Sequence, residues 1–270
     1  MTRPCPFAQI DAFAHAPFTG NPAAVVALDA WPDDSLLQSI AKENNLSETA
    51  FFLPDDSGEA DYELRWFTPA SEVELCGHAT LATGHYLLSR DPALDAVTFR
   101  TRRAGVLRVA RDGDRYAMTL PAWRAEPKDM TPCLAALGLS PDQVSAGFGH
   151  ASGYTMVVVE DASLVTGLAP DFRALRETGD IVTIVTAPGG ETDIVSRVFA
   201  TGAGLEEDPV TGSAHAVLAP YWAELLGRDA FSAYQASERG GYLDCRIDGE
   251  SVTLSGGCIT VLKGDFLLPD

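Results

Sequence analysis

The chain has 270 residues, with 19 Lys+Arg against 38 Asp+Glu and a formal net charge of −19. A pI near 4.5 sets it against phosphate backbones and anionic lipid, so neither nucleic acid nor a membrane surface is expected as a partner. Hydrophobic residues make up 46% and charged residues 21%, an ordinary globular composition at a length that accommodates one large domain or two of usual size.

The first residues, Met1-Thr-Arg-Pro-Cys-Pro-Phe, reach Asp11 without a continuous apolar stretch, so no signal peptide is expected. Val25–Leu28 reads as a short strand. Pro32-Asp-Asp-Ser then caps a helix over about Leu36–Glu43. Thr49–Leu53 and the alternating Tyr62–Phe67 read as strands. The helix Ala79–Leu88 opens at Gly77-His78, and strands follow at Ala96–Arg100, Val106–Ala110 and Tyr116–Leu120. The last two join at Asp112-Gly113, a hairpin signal. Pro121–Ser140, rich in proline and charge, reads as a linker.

Beyond it come strand Thr155–Val159, helix Asp171–Glu177, and strands Ile181–Thr186 and Ile194–Ala200. A helix over Ala214–Leu226 stops at Gly227, with strands at Tyr242–Ile247, Ser251–Ser255 and Ile259–Leu262. Apolar runs such as Ala23–Leu28 and Met156–Val159 have the length of strands, not of a membrane span.

The two series of elements are alike because the chain repeats itself. Arg103, Gly105, Leu107, Asp112 and Gly113 recur as Arg239, Gly241, Leu243, Asp248 and Gly249, always 136 positions on. Gly20-Asn-Pro-Ala-Ala-Val-Val echoes Gly153-Tyr-Thr-Met-Val-Val-Val at 133 positions, and Arg65-Trp-Phe echoes Arg197-Val-Phe at 132. Gly77-His-Ala and Gly212-Ser-Ala lie 135 apart. Two similar halves are therefore expected, 1–122 and 123–270, with a final strand able to pack on the first. The helices Ala79–Leu88 and Ala214–Leu226 are apolar around most of their circumference, the pattern of a helix buried on all sides. Pro220 should kink the second. Strands around one buried helix, twice over, predict an α+β protein of two facing domains with a ligand cleft between them.

Each buried helix opens on a glycine turn, Cys76-Gly77-His78 or Thr211-Gly212-Ser213. Unpaired N–H groups and the helix dipole let such a turn receive a carboxylate, although ordinary capping explains either turn alone. Glu48, in Asn45-Leu-Ser47-Glu48-Thr, stands between a helix and an apolar strand, where a carboxylate is a candidate proton carrier. Asp208 precedes the second turn and is either an acid in the chemistry or a loop residue. His78 is either a proton donor or a helix-start side chain. Five cysteines are widely spaced, and the five histidines form no cluster of zinc spacing. Reduced cysteines, a cytoplasmic location and no metal are expected. No nucleotide or flavin fingerprint occurs, so no cofactor is expected.

Phe18-Thr-Gly-Asn-Pro-Ala-Ala-Val-Val, Asn45-Leu-Ser-Glu-Thr-Ala-Phe, Phe67-Thr-Pro-Ala-Ser-Glu-Val-Glu-Leu-Cys-Gly-His-Ala-Thr, Glu207-Asp-Pro-Val-Thr-Gly-Ser-Ala and Ser255-Gly-Gly run through the chain in order. Together they resemble the phenazine-biosynthesis PhzF-like isomerase family, whose fold is similar to diaminopimelate epimerase: two pseudo-symmetric domains, each a curved sheet around a central helix. The family's phenazine enzyme moves a proton between carbons of a dihydro-hydroxyanthranilate ring without a cofactor. The resemblance puts the acid/base role on Glu48, with His78 and Asp208 as further catalytic residues. Ser47, Gly77, Gly212 and Ser213 would hold polar groups of a small carboxylate-bearing substrate, and a homodimer is implied.

Racemases of this fold use one cysteine at each helix start. Cys76 stands at the first, and Val210 is read as its counterpart at the second, so two-thiol racemisation is not expected. Cys76 is then a small packing residue or an auxiliary thiol. Two other readings stay open: an epimerase, racemase or dehydratase on an amino or hydroxy acid using Glu48 and Cys76, and a ligand-binding protein without turnover. The acidic chain should oppose an acidic substrate at long range, so affinity should improve as salt screens distant charge.

Overall fold

The sequence repeat is a repeat of strand pairing. In a computed structural model describing residues 2–269, the chain divides into two compact units, Met1–Thr119 with Ser255–Asp270, and Leu120–Leu254. The first crossing falls at Thr119/Leu120, three residues before the expected boundary, and the last sixteen residues return to the first unit.

Through the first unit run β1 (Thr2–Ala12), β2 (Asn21–Ala27), α1 (Asp34–Asn44), β3 (Glu48–Pro54), β4 (Tyr62–Phe67), β5 (Glu72–Val73), α2 (Gly77–Leu88), β6 (Ala96–Thr101), β7 (Val106–Asp112) and β8 (Arg115–Pro121). Then come β9 (Glu126–Pro127), α3 (Thr131–Leu137), β10 (Val144–His150), β11 (Tyr154–Val159), α4 (Ala162–Thr166), α5 (Phe172–Glu177), β12 (Val182–Pro188) and β13 (Ile194–Phe199). The chain closes with α6 (Gly212–Leu226), β14 (Ala230–Gln235), β15 (Gly241–Asp248), β16 (Ser251–Gly256) and β17 (Cys258–Pro269).

In the first unit the pairs β1–β2, β2–β3, β3–β4, β4–β6 and β6–β7 are in turn antiparallel, parallel, antiparallel, parallel and antiparallel. In the second, β10–β11, β11–β12, β12–β13, β13–β14 and β14–β15 follow the same alternation. Each parallel join needs a crossover, and the helices are those crossovers. α1 and α2 serve the first unit; α4 with α5, and then α6, serve the second.

Helices on both faces explain why β2 is buried at six successive positions instead of alternating. On one face of the first sheet, Leu37 and Ile40 of α1 pack with Val26, Phe51 and Phe67. The matching layer of the second unit joins Leu134 and Leu137 of α3 and Leu175 of α5 to Val157, Val185 and Phe199. The other helix of each unit, α2 or α6, is enclosed: ten of α2's residues and ten of α6's are buried.

The expected helices and strands lie within these elements or overrun them by a single residue, while β1, β5, β9, α3, β10, α4 and β14 were not expected. The stretch read as a linker, Pro121–Ser140, contains β9 and α3, and Cys133, Leu134, Ala136 and Leu137 of α3 are core residues. Its prolines and charges mark the start of a helix, not a tether: proline stands in α3's first turn and Gly138 ends it in the left-handed conformation. β1 is a strand that carries Pro4 and Pro6. Both prolines lie where β1 pairs with β17, before its pairing with β2 begins at Phe7, so their missing N–H groups cost no bond on that side. Finally, Asp33 caps α1 by position without the expected side-chain bond.

Pro220 lies inside a continuous α6. Proline leaves the carbonyl four residues back without its helical donor, and that carbonyl, of Ala216, accepts instead from the Trp123 N–H at 2.9 Å. Among the described residues no helix is long and apolar enough to cross a membrane, and all five cysteines are free.

Candidate active site

Glu48 opens β3 one residue past Ser47, just after α1 ends with Asn45 in the left-handed region at φ 48°. β2 runs parallel beside it, with Ala23 opposite Glu48. β2 itself begins at Asn21, after Gly20 at φ 70°, where a Cβ would stand 2.3 Å from the Ala12 carbonyl oxygen. Only glycine makes that turn without moving the backbone. α2 starts between these strand ends, with Cys76 as its N-cap and Gly77 and His78 in its first turn.

The result is a cluster around the His78 imidazole. Its Nε2 lies 3.1 Å from Glu48 Oε2. The contact has ion-pair distance but is not aligned as a hydrogen bond, and neither atom has another hydrogen-bond partner among the described residues. On the other edge, Nδ1 lies 3.1 Å from Asn21 Nδ2 and 3.6 Å from Cys76 Sγ. Asn21 can serve either form of the ring, donating through nitrogen to a neutral imidazole or accepting through oxygen from an imidazolium. The His78 side chain is 5% exposed and that of Glu48 is 18% exposed, so the carboxylate is the member that solutes can reach.

Burial alone would lower the His78 pKa, but the Cys76 sulfur and the Glu48 carboxylate beside it hold it well above the ordinary histidine value. Burial, then the Glu48 charge, pushes the Cys76 thiol up to about 11. At neutral pH Cys76 is therefore a neutral thiol. The pair sets a partly exposed carboxylate against a buried imidazole, an arrangement able to take a proton and return it.

Glu48, Cys76 and His78 also have ligand atoms within 4.8 Å of one another. Glu48 faces one nitrogen of the ring and Cys76 the other.

In the second unit, Thr211 is the N-cap of α6, followed by Gly212 and Ser213. The residue in the place of Cys76 is thus Thr211 and not Val210, which lies one position earlier; the offset of 135 from Gly77 to Gly212 applies here too. Neither is a thiol. Tyr154 Oη donates to Ser213 Oγ at 2.8 Å. Asp208 is 9% exposed, and its Oδ2 accepts from Thr211 Oγ1 at 2.5 Å. Buried His215, one turn into α6, has Nδ1 2.8 Å from the Thr211 carbonyl oxygen, and burial holds its pKa down to about 4.

Of the residues expected from sequence, Glu48, His78, Gly77 and Cys76 meet at the first helix start with Ser47 next in chain, and Asp208, Gly212 and Ser213 meet at the second. Sequence reading missed Asn21, Thr211, Tyr154 and Gln235. Asn21 and Tyr154 had a signal, since each follows the glycine of a paired repeat motif, and Thr211 opens the second glycine turn; only Gln235 is brought in by strand pairing alone.

The family model described as phenazine biosynthesis-like protein matches residues 10–264. The chain belongs to the phenazine biosynthesis-like family. An uncharacterized isomerase of Pseudomonas aeruginosa is 49% identical over 263 residues, covering 96% of this chain and 98% of that one. A crystal structure of a PhzF-family protein from Enterococcus faecalis superimposes with TM-score 0.90 at 39% identity, covering 98% and 99% of the two chains. The chain is accordingly a PhzF-like isomerase. A hydroxyproline epimerase of Agrobacterium vitis shares the fold at TM-score 0.62 and 13% identity, over 99% and 94% of the chains. The α+β architecture is thus the diaminopimelate epimerase-like one.

Proposed function

We propose that the protein moves a proton between carbons of a small carboxylate-bearing metabolite, with Glu48 as the acid and base and no cofactor. The observation that supports this reading is the Glu48–His78 contact: a partly exposed carboxylate 3.1 Å from a buried imidazole that is itself fixed by Asn21. Glu48 takes the proton from one carbon and delivers it to another, while His78 carries a compensating positive charge. The N–H groups of Gly77 and His78 at the start of α2 supply donors for developing oxyanion charge. On the same reading Asp208 is a further catalytic residue, and Ser47, Gly77, Gly212 and Ser213 hold polar groups of the substrate.

Epimerisation through Cys76 has less support. A buried thiol with a pKa of about 11 is a poor base at neutral pH, and threonine occupies the corresponding helix start.

The test is a panel of small unsaturated, aromatic and aliphatic carboxylates incubated with the wild-type protein in D2O. Deuterium appearing at carbon in at least one compound, seen by NMR, supports the isomerase reading. Compounds that raise Tm while none exchanges would instead identify a binding protein.

A further inference from the structure

Gln235, the last residue of β14, is fully buried and belongs to no motif identified in the sequence. Its side-chain amide nevertheless makes three contacts beside the start of α6. Nε2 donates to the Asp208 carbonyl oxygen at 2.6 Å and approaches Thr211 Oγ1 at 3.3 Å. Oε1 accepts from the Thr211 N–H at 2.9 Å. One planar amide thus ties both ends of the Asp208–Thr211 turn to a core strand.

The arrangement also gives the Thr211 hydroxyl a direction. That hydroxyl has one proton. Because Gln235 Nε2 can only donate, Thr211 Oγ1 accepts from it and sends its own proton to Asp208 Oδ2, 2.5 Å away. A glutamine amide buried in the core is thus linked, through one threonine, to the Asp208 carboxyl.

From below, Arg197 on β13 holds the neighbouring Glu207 through Nε at 2.7 Å and Nη2 at 2.9 Å. Asp208 N–H also donates to the Val198 carbonyl at 3.0 Å. The backbone before Asp208 is already fixed without Gln235. What Gln235 adds is control of the turn after it and of the side chain.

We propose that Gln235 is a positioning residue that sets the orientation of the Asp208 carboxyl through Thr211. This rests on the reading that Asp208 takes part in the reaction. The test follows the titration of the Asp208 side chain by 13C NMR in protein labelled at aspartate, which needs no substrate, and deuterium uptake by whichever carboxylate exchanges with the wild type. In Gln235→Leu the titration midpoint should move up, and Thr211→Val should move it likewise. The double variant should go no further than the larger single change, because both act through one contact. Exchange should fall by about ten- to a hundredfold, mainly in kcat, with KM little changed. If Gln235→Leu does not fold, the nearly isosteric Gln235→Glu carries the comparison: it keeps an acceptor for the Thr211 N–H but as a carboxylate loses both donations.

An unmoved Asp208 titration in the Gln235 variants would overturn the proposal while leaving the role of Glu48 standing. A moved titration with wild-type exchange would also overturn it, by removing Asp208 from the reaction. If Glu48→Gln still exchanges, the functional reading fails on separate grounds.

Discussion

Arg65 and Arg197 make the same contact in the two halves of the chain: each grips, through Nε and Nη2, the two oxygens of a glutamate on the segment leading into an enclosed helix. Arg65 holds Glu72 at 2.8 and 2.9 Å, and Arg197 holds Glu207 at 2.7 and 2.9 Å. Each guanidinium also lies over a phenylalanine two residues on, Phe67 at 5.0 Å or Phe199 at 5.1 Å. The fork matches carboxylate geometry in a way that an ammonium group does not.

Arg65→Lys and Arg197→Lys should therefore each destabilise the protein by about 1–3 kcal/mol, although charge is kept. Urea unfolding measures it. Losses below about 0.5 kcal/mol, the size of an exposed pair, would show that the fork is dispensable.

Gly84 lies where α2 crosses β7, and a Cβ there would stand 2.4 Å from Val109 Cγ1. Gly84→Ala gains helix propensity but overpacks the contact, so a net loss of about 1–3 kcal/mol is expected. Adding Val109→Ala should recover part of the loss that Gly84→Ala produces. If Gly84→Ala is stabilising alone, the close approach is not real.

The His78 pKa is raised in the folded protein. Its contribution to stability is therefore complete below the unfolded value near about 6.5 and disappears as pH rises through the folded value. The stability gap between wild type and His78→Gln should be larger at about pH 6 than at about pH 10. A gap that widens with pH would mean that His78 is neutral in the folded state.

His215 behaves oppositely. Its pKa is lowered to about 4, so the folded state resists its protonation and stability falls as pH drops from about 6.5 toward 4. The change is worth about 3 kcal/mol at most, from 1.36 kcal/mol per pKa unit. His215→Asn, still able to donate to the Thr211 carbonyl, should lose less stability between pH 7 and pH 4.5 than wild type. An equal loss in both would assign the acid sensitivity elsewhere.

Sequence made the architecture readable because the duplication left motifs at nearly constant spacing, from Gly77/Gly212 to Asp112/Asp248. The enclosed helices were also readable, because α2 and α6 lack a polar face. What stayed hidden was long-range. β1 was part of it: a strand paired on one side tolerates Pro4 and Pro6, and no local pattern says which side that is. Glu48 and His78 were readable as candidates, but their 3.1 Å contact depends on α2 starting beside the ends of β2 and β3. Gln235 was invisible because an ordinary polar residue at a strand end acquires meaning only when β14 pairs with β13 and brings it to Asp208.

The role of Glu48 is tested most directly by the rate of deuterium uptake from D2O into an exchanging carboxylate, compared between wild type and Glu48→Gln. Glutamine keeps the shape of the side chain and removes its capacity to take up a proton. Uptake should fall by at least about a thousandfold, with Tm changed by only a few degrees and KM by less than about threefold. Wild-type uptake in a folded Glu48→Gln variant would contradict the assignment of proton transfer to this residue.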